Sequence, residues 1–301
     1  MKKNFLKAFF ISLICFILAY IGIGYFILNN GIKSPRGKDS ANNKNEILFL
    51  LLGIDAQDLT QEKGARTDTM MLVKVNLSTE GVDILSIPRD TRVNIDGRKG
   101  RSKINAAHAH GGPELAVKTV RQLLGLELDY YVKVDYKIVE EAVDAIGGVE
   151  VEVPQDMYYE DPSADPPLVI DLKEGRQVLD GQKSLQFLRF RKGYKDADLG
   201  RIRAQQQFMK AFIEQALRPK NLFKLPRMVP SYYRNVDTNI PMSTLTKMAL
   251  SARKINTDNI NLSTIPGNGE WIDGVSYYIY DENQLNIIVR EMFGDYIYNN
   301  R

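Results

Sequence analysis

From Glu46 the run EILFLLLGID is apolar at nearly every position and closes on Gly53 and Asp55. An unbroken run of that length predicts a strand buried on both faces, which brings its last residues to the carboxyl edge of a sheet. TMMLVKVN (69–76) and VDILSIP (82–88), separated by the turn-like LSTEG, predict a hairpin. PELAVKTVRQLL has helical spacing with Pro113 at its start, DYYVKVD is strand-like, and YKIVEEAVDAI is an amphipathic helix closed by Gly147 and Gly148. VEVEV (149–153) reads as a strand, GQKSLQFLRF and GRIRAQQQFMKAFIEQAL as helices, and STLTKMALSARKI as a further helix. INLSTIP and VSYYIYD then predict strands, and ENQLNIIVREMF a closing helix. The alternation predicts an α/β fold, a single mixed-sheet domain covered by helices, with no internal repeat and no second domain boundary.

Upstream, Ala8 to Leu28 carries no charge and is long enough for a transmembrane helix, which needs ~20 residues. A cleaved signal peptide is the rival reading, but the apolar run exceeds the usual length and no small-residue cleavage site follows. Residues 1–7 then form a short tail, 8–28 the span, 29–45 a flexible stalk rich in Asn, Lys, Gly and Ser, and 46–301 the folded domain. Lysines and arginines flank both ends of the span, so charge alone leaves its orientation open. Cys15, the only cysteine, lies inside the span, which excludes an intrachain disulfide and a cysteine-based zinc site in the domain.

The 40 Lys and Arg against 37 Asp and Glu give a net charge of +3, small for 301 residues. No nucleic-acid partner is expected, and any basic site must be local. The stretch LRFRKGYKDADLGRIRAQQQ (188–207) is such a place. Arg189 and Arg191, two apart, converge only if the helix ends near Leu188 and the chain becomes extended. Asp198, Arg201 and Gln205 then share one face of the next helix, and Phe208 and Phe212 continue it, a polar start running into an apolar wall. A solvated surface would not run into phenylalanines. Two further clusters lie at strand ends, Arg66 and Asp68 in GARTDTMM and Arg89 and Asp90 in SIPRDT, where α/β proteins build sites. Each alone could be a turn or ion pair, and Arg89 and Asp90 could bind one another.

LLLGID, RTDT, SIPRDT, KINAAHAHGG, DAIGGVEVEVP and LxGxxSLxFxRxRK followed by DxGRxxxQQ together resemble the LytR-CpsA-Psr family, over about Ile47 to Phe212. The resemblance implies a membrane-anchored phosphotransferase, its domain outside the cell. It would move an anionic glycopolymer, teichoic acid or capsular polysaccharide, from a polyprenyl pyrophosphate carrier to peptidoglycan. Carried over by motif, Arg66, Arg89 and Asp198 are the expected catalytic residues, and Arg189, Arg191, Arg201 and Gln205 the substrate-binding ones. Asp55 and Asp68 would hold a magnesium (or manganese) ion. Arginine binds phosphate oxygens bidentately and stays charged, so the residue types suit a pyrophosphate cradle. A pyrophosphatase using the same site is the enzymatic alternative. A membrane-associated transcriptional regulator is the non-enzymatic one, opposed by the near-neutral charge and the lack of a helix-turn-helix pattern. His108 and His110 read as polar loop contacts, with no third metal ligand in view, and Trp271 and the tyrosines of VSYYIYD as packing residues or a sugar-stacking wall.

Overall fold

A computed structural model describes residues 45–54, 66–162, 168–191, 193–195, 198–222 and 236–298. The apolar run forms β1 (Glu46–Ile54), which takes an inner place in a six-stranded mixed sheet, as burial on both faces requires. β2 (Thr67–Asn76) and β3 (Gly81–Ser86) pair antiparallel as the expected hairpin. β4 (Arg92–Asn94) and β5 (Arg101–Lys103) form a small hairpin of their own, followed by α1 (Ala106–Leu124) and β6 (Tyr130–Val134). α2 (Tyr136–Ile146) leads into β7 (Val149–Val153), β8 (Met157–Asp161), β9 (Leu168–Leu172) and β10 (Gly175–Leu179). The chain continues through α3 (Gly181–Arg189), α4 (Asp198–Ala216), the single-turn α5 (Pro219–Leu222), β11 (Val236–Thr238) and α6 (Met242–Ser251). It closes with β12 (Ile260–Thr264), the hairpin β13 (Gly267–Ile272) and β14 (Val275–Tyr280), and α7 (Glu282–Phe293).

The main sheet runs β11-β6-β1-β2-β3-β12. β1 is parallel to β6 and antiparallel to β2, β2 is antiparallel to β3, and β3 is parallel to β12. β1, β3, β6 and β12 therefore share a direction and end at one edge, where open α/β sheets bind ligands. Alternation along the strands splits their side chains between two cores. Leu48, Leu50 and Leu52 of β1, with Met70 and Leu72 of β2, pack under α1 and α7. On the opposite face Leu51, Met71 and Val73 meet Met209 and Ile213 of α4.

VEVEV is a strand but does not join the main sheet. β7 pairs with β10, and β8 with β9, as two-stranded sheets. Val149, Val151 and Val153 are buried while Glu150 and Glu152 are not, so β7 has one dry face, which it turns onto α3 and α4. A one-sided strand of this kind suits a satellite layer rather than a sheet covered on both faces. The histidines also depart from expectation. His108 and His110 lie on the first part of α1, not in a loop; His108 is buried and His110 meets Arg98. The helix kinks at Gly111 and Gly112, the latter at φ 68°, and restarts at Pro113 as predicted. Among the described residues no helix is long and apolar enough to cross a membrane, and the expected span at 8–28 lies outside them.

Candidate active site

α3 is capped by Asp180, whose side chain accepts a hydrogen bond from the Lys183 backbone N–H at 2.8 Å, and it ends at Arg189. Phe190 is extended (φ −62°, ψ 129°), so Arg189 and Arg191 both reach the wall of a cavity of about 610 Å³. The following turn folds back over the Phe190 ring. A β-carbon at Gly193 would overlap that ring, so glycine is required there, and Gln155 holds its carbonyl at 2.9 Å. The Arg189 guanidinium lies 4.9 Å from the ring centre of Tyr136, at the start of α2. That contact steadies the guanidinium by cation–π attraction.

The other charges come from the common carboxyl edge. Arg89 follows β3 and pairs with the Asp68 carboxylate near the start of β2. Its Nε lies 3.6 Å from Asp198. Arg201 binds Asp198 at 2.7 Å and donates to the Asp68 carbonyl at 3.3 Å. Burial opposes the charge on Arg89, but Asp68 and Asp198 outweigh it and raise the pKa above the ordinary value. Arg201 is more deeply buried, and burial lowers its pKa despite Asp198, with Arg89 pushing the same way. Arginine remains cationic under either influence. The Nε atoms of Arg89 and Arg201 are both buried without a hydrogen-bond partner among the described residues. Buried donors of this kind suit an acceptor-rich ligand.

Three consecutive glutamines set the position of α4. Gln205 lines the cavity. Gln206 Nε2 reaches Ser86 Oγ at 3.0 Å, the Ser263 carbonyl at 2.7 Å and Thr264 Oγ1 at 3.0 Å, tying the helix to the ends of β3 and β12. Gln207 donates to the Glu152 carbonyl at 2.8 Å, tying it to β7. The helix is thus clamped between the main sheet and the satellite layer, with the cavity in the angle between them.

Away from the arginines the cavity wall is apolar. It is built by Leu51 and Met71 of the sheet, Ile138, Val139 and Ala142 of α2, Leu168 and Leu188, and Phe208, Met209 and Phe212 of α4. Phe208 and Phe212 stack with centroids 6.4 Å apart, and Phe208 also meets Phe187 in the satellite core at 6.3 Å. The site is a charged mouth opening on a greasy interior.

A family model described as the LytR_cpsA_psr family matches residues 28–293. The chain belongs to the LytR-CpsA-Psr family. It is 32% identical to an Oceanobacillus iheyensis protein named polyisoprenyl-teichoic acid–peptidoglycan teichoic acid transferase TagU, over 92% of this chain and 90% of that one. Among solved structures, the crystal structure of B. subtilis TagV superposes with a TM-score of 0.70 at 27% identity, covering 84% of this chain and 98% of that one. TagT bound to LIIa-WTA superposes at 0.68 with 27% identity, covering 89% and 97%.

For this LytR-CpsA-Psr chain, Asp68, Arg89, Arg189, Arg191, Arg201 and Gln205 all line one cavity. Asp198 stands behind them and holds Arg201 and Arg89 rather than forming the wall. Arg66 is exposed one residue before β2 and is not part of the lining, and Asp55 lies outside the described residues. Arg89 and Asp90 do not pair with each other: Asp90 binds Lys103 at 3.0 Å. The two lie in a turn closed by the Thr91 N–H on the Pro88 carbonyl at 2.9 Å, and from it each side chain goes to a different partner. Trp271 is 78% exposed, so it is not core. The sequence reading missed Tyr136, Gln206 and Gln207. Tyr136 could have been found from its place just after a strand end, whereas the glutamines carry no local signal of what they bind. No three His, Cys, Asp or Glu side chains gather among the described residues. Magnesium commonly takes only one or two carboxylates plus substrate phosphates, and the cavity-facing Asp68 fits that pattern.

Proposed function

We propose that the chain is a phosphotransferase that moves an anionic glycopolymer from a polyprenyl pyrophosphate carrier to peptidoglycan, at its N-acetylmuramic acid. The observation that carries this is the division of one cavity into an arginine-rich mouth and an apolar interior, the inverse image of an anionic headgroup on a lipid tail. Teichoic acid is the favoured polymer because the relatives' names specify it, with capsular polysaccharide the other member of the class. The chain is proposed to sit in the cell membrane by a single span at 8–28, its domain extracellular, within reach of a lipid-borne donor and of the wall.

Arg89 and Arg201 face the phosphates from inside, and Arg189 and Arg191 from the mouth. Asp198 is a positioning residue that fixes the first pair. The acceptor hydroxyl oxygen bonds to the polymer-side phosphorus, the bond from that phosphorus to the bridging oxygen breaks, polyprenyl phosphate departs with the electron pair, and the hydroxyl proton passes to that departing phosphate or to solvent. Such a reaction needs positioning and charge neutralisation more than covalent help. Without ligand, Asp68 and Asp198 balance the two inner arginines. A phosphate can replace Asp68 at Arg89 and free that carboxylate for a hard cation. Bound magnesium or manganese would neutralise the phosphates further, held by Asp68 with Asp55 as the expected second ligand.

The test is mass spectrometry of lipid co-purified with the full chain, followed by turnover with and without peptidoglycan oligomers. A polyprenyl phosphate or pyrophosphate headgroup and acceptor-dependent release are expected. Equal release without acceptor would identify a pyrophosphatase, and the absence of any lipid binding would remove the reading.

A further inference from the structure

The β4–β5 hairpin carries charge that the cavity does not use. From Arg92 to Lys103 the sequence RVNIDGRKGRSK holds five cations and one carboxylate, Asp96. That carboxylate is already engaged by Lys118 at 2.5 Å and Gln122 at 3.2 Å, both from α1. Lys103 is held by Asp90, but Lys99 and Arg101 are exposed and pair with no described residue. The register sets Arg92 opposite Lys103 and Asn94 opposite Arg101, so Arg92, Arg101 and Lys103 share one face. Val93 and Ile95 enter the core on the other. The Arg92 guanidinium lies 5.4 Å from the ring centre of Tyr277 on β14.

This face adjoins the reaction centre. The Asn105 N–H donates to the Arg89 carbonyl at 3.2 Å, that of Ile104 to Thr91 at 2.9 Å, and that of Tyr278 to Asp90 at 2.9 Å. The hairpin is therefore rooted on the segment that presents Arg89. Arg92, three residues on, lies at most about 11 Å from it along the chain. An ordinary solvated surface intersperses both signs. Along β4–β5 one sign dominates, next to an aromatic ring whose cross-strand neighbour is Glu270, and that combination of cations and ring matches phosphates strung between sugars.

We propose that the β4–β5 face, with Arg92, Lys99, Arg101, Lys103 and Tyr277, is a subsite for the phosphate-bearing sugar repeats of the donor polymer, beyond the pyrophosphate pocket. The proposal rests on the transferase reading and adds a means of choosing donors by the charge of their polymer. Guanidinium and ammonium groups take the repeat phosphates, and the tyrosine offers a flat surface to a sugar ring.

The test uses the full chain in detergent with two lipid pyrophosphate donors, one bearing a short uncharged oligosaccharide and one bearing several anionic repeats. In the variant Lys99→Glu with Arg101→Glu, KM for the anionic donor should rise roughly tenfold, a few-fold for each exposed contact, with kcat little changed. Its dependence on salt should flatten, because fewer counterions are exchanged on binding. The short donor should be transferred as by the parent chain, which also shows that the variant is folded. Equal effects on both donors, or none on either, would overturn the subsite. Flotation with phosphatidylglycerol and phosphatidylcholine vesicles supplies a further arm: loss of anionic-vesicle binding with an unchanged KM for the anionic donor would assign the hairpin to lipid headgroups instead. If the parent chain transfers neither donor, the transferase reading itself fails, and the subsite with it.

Discussion

Arg89 stands between two carboxylates, facing Asp68 on one side and Asp198 on the other. A lysine there would keep the charge but lose the planar fork that can serve two acceptors at once. Arg89→Lys is expected to lower kcat by about a hundredfold, and Arg89→Ala by as much as about a thousandfold, the scale of losing one preorganised donor to a developing oxyanion. Steady-state transfer with folded protein, verified by circular dichroism, checks this; near-parent activity in the lysine variant would remove the bidentate role. The two phenylalanines of α4 separate packing from binding. Phe208 is 4% exposed and shared between the satellite core and the cavity, whereas Phe212 is half-buried on the cavity side. Phe208→Ala should cost about 3 to 5 kcal/mol of stability and Phe212→Ala well under that. Both should weaken long-chain lipid more than short-chain analogues. Urea melts and binding isotherms decide it, and equal destabilisation by the two would show that Phe212 is core as well.

At the scale of elements, the catalytic surface depends on where α4 is clamped. Gln206 uses one amide nitrogen to reach three oxygens at the ends of β3 and β12. Gln206→Ala should cost about 1 to 3 kcal/mol by leaving those acceptors unmet. Gln206→Glu should also destabilise at neutral pH, because a carboxylate cannot donate to the Ser263 carbonyl and is repelled by it, even where the Ser86 and Thr264 hydroxyls turn to donate to it. Thermal melts of the pair test this, and a glutamate variant as stable as the parent would show that the clamp is not made. Within the main sheet, β1, β2 and β3 were legible in the sequence because each buries a run of apolar residues, and β6 because its short segment alternates. The polar start and apolar continuation of α4 were legible for a similar reason, since residues on one helix face meet one environment. What escaped was decided by partners far along the chain. Three-residue strands such as β4, β5 and β11 are too short to carry a pattern, and VEVEV gives the same alternation in a satellite layer as in a main sheet. The exposure of Trp271 beside the buried Tyr278 depends on how the β13–β14 hairpin meets the body of the fold. Arg89 and Asp90 were legible as a charged strand end but not as members of separate ion pairs.

For the whole molecule, the cavity joins the main sheet to the satellite layer through α4, so a ligand that fills it should bind the two layers together. Ligand that binds only the folded state stabilises it by about 2.7 kcal/mol at a hundred times its Kd. For a domain of this size that is a rise in Tm of roughly 5 to 10 °C. A polyprenyl pyrophosphate should reach that range, because the headgroup meets the arginines and each CH₂ of the tail that leaves water contributes about 0.8 kcal/mol. Inorganic pyrophosphate, which has the charge without the tail, should give a much smaller shift at equal concentration. Magnesium should enlarge both shifts and EDTA reduce them, because a cation relieves the repulsion between the phosphates and the carboxylates at the mouth. In Asp68→Asn the difference between magnesium and EDTA should shrink. The asparagine also leaves Arg89 without one of its carboxylates, so affinity in EDTA should rise rather than fall. Scanning calorimetry across ligands, metal and variant measures each of these. A pyrophosphate shift equal to the lipid's would show that the apolar interior takes no part in binding, and a magnesium effect undiminished in Asp68→Asn would move the metal away from that carboxylate.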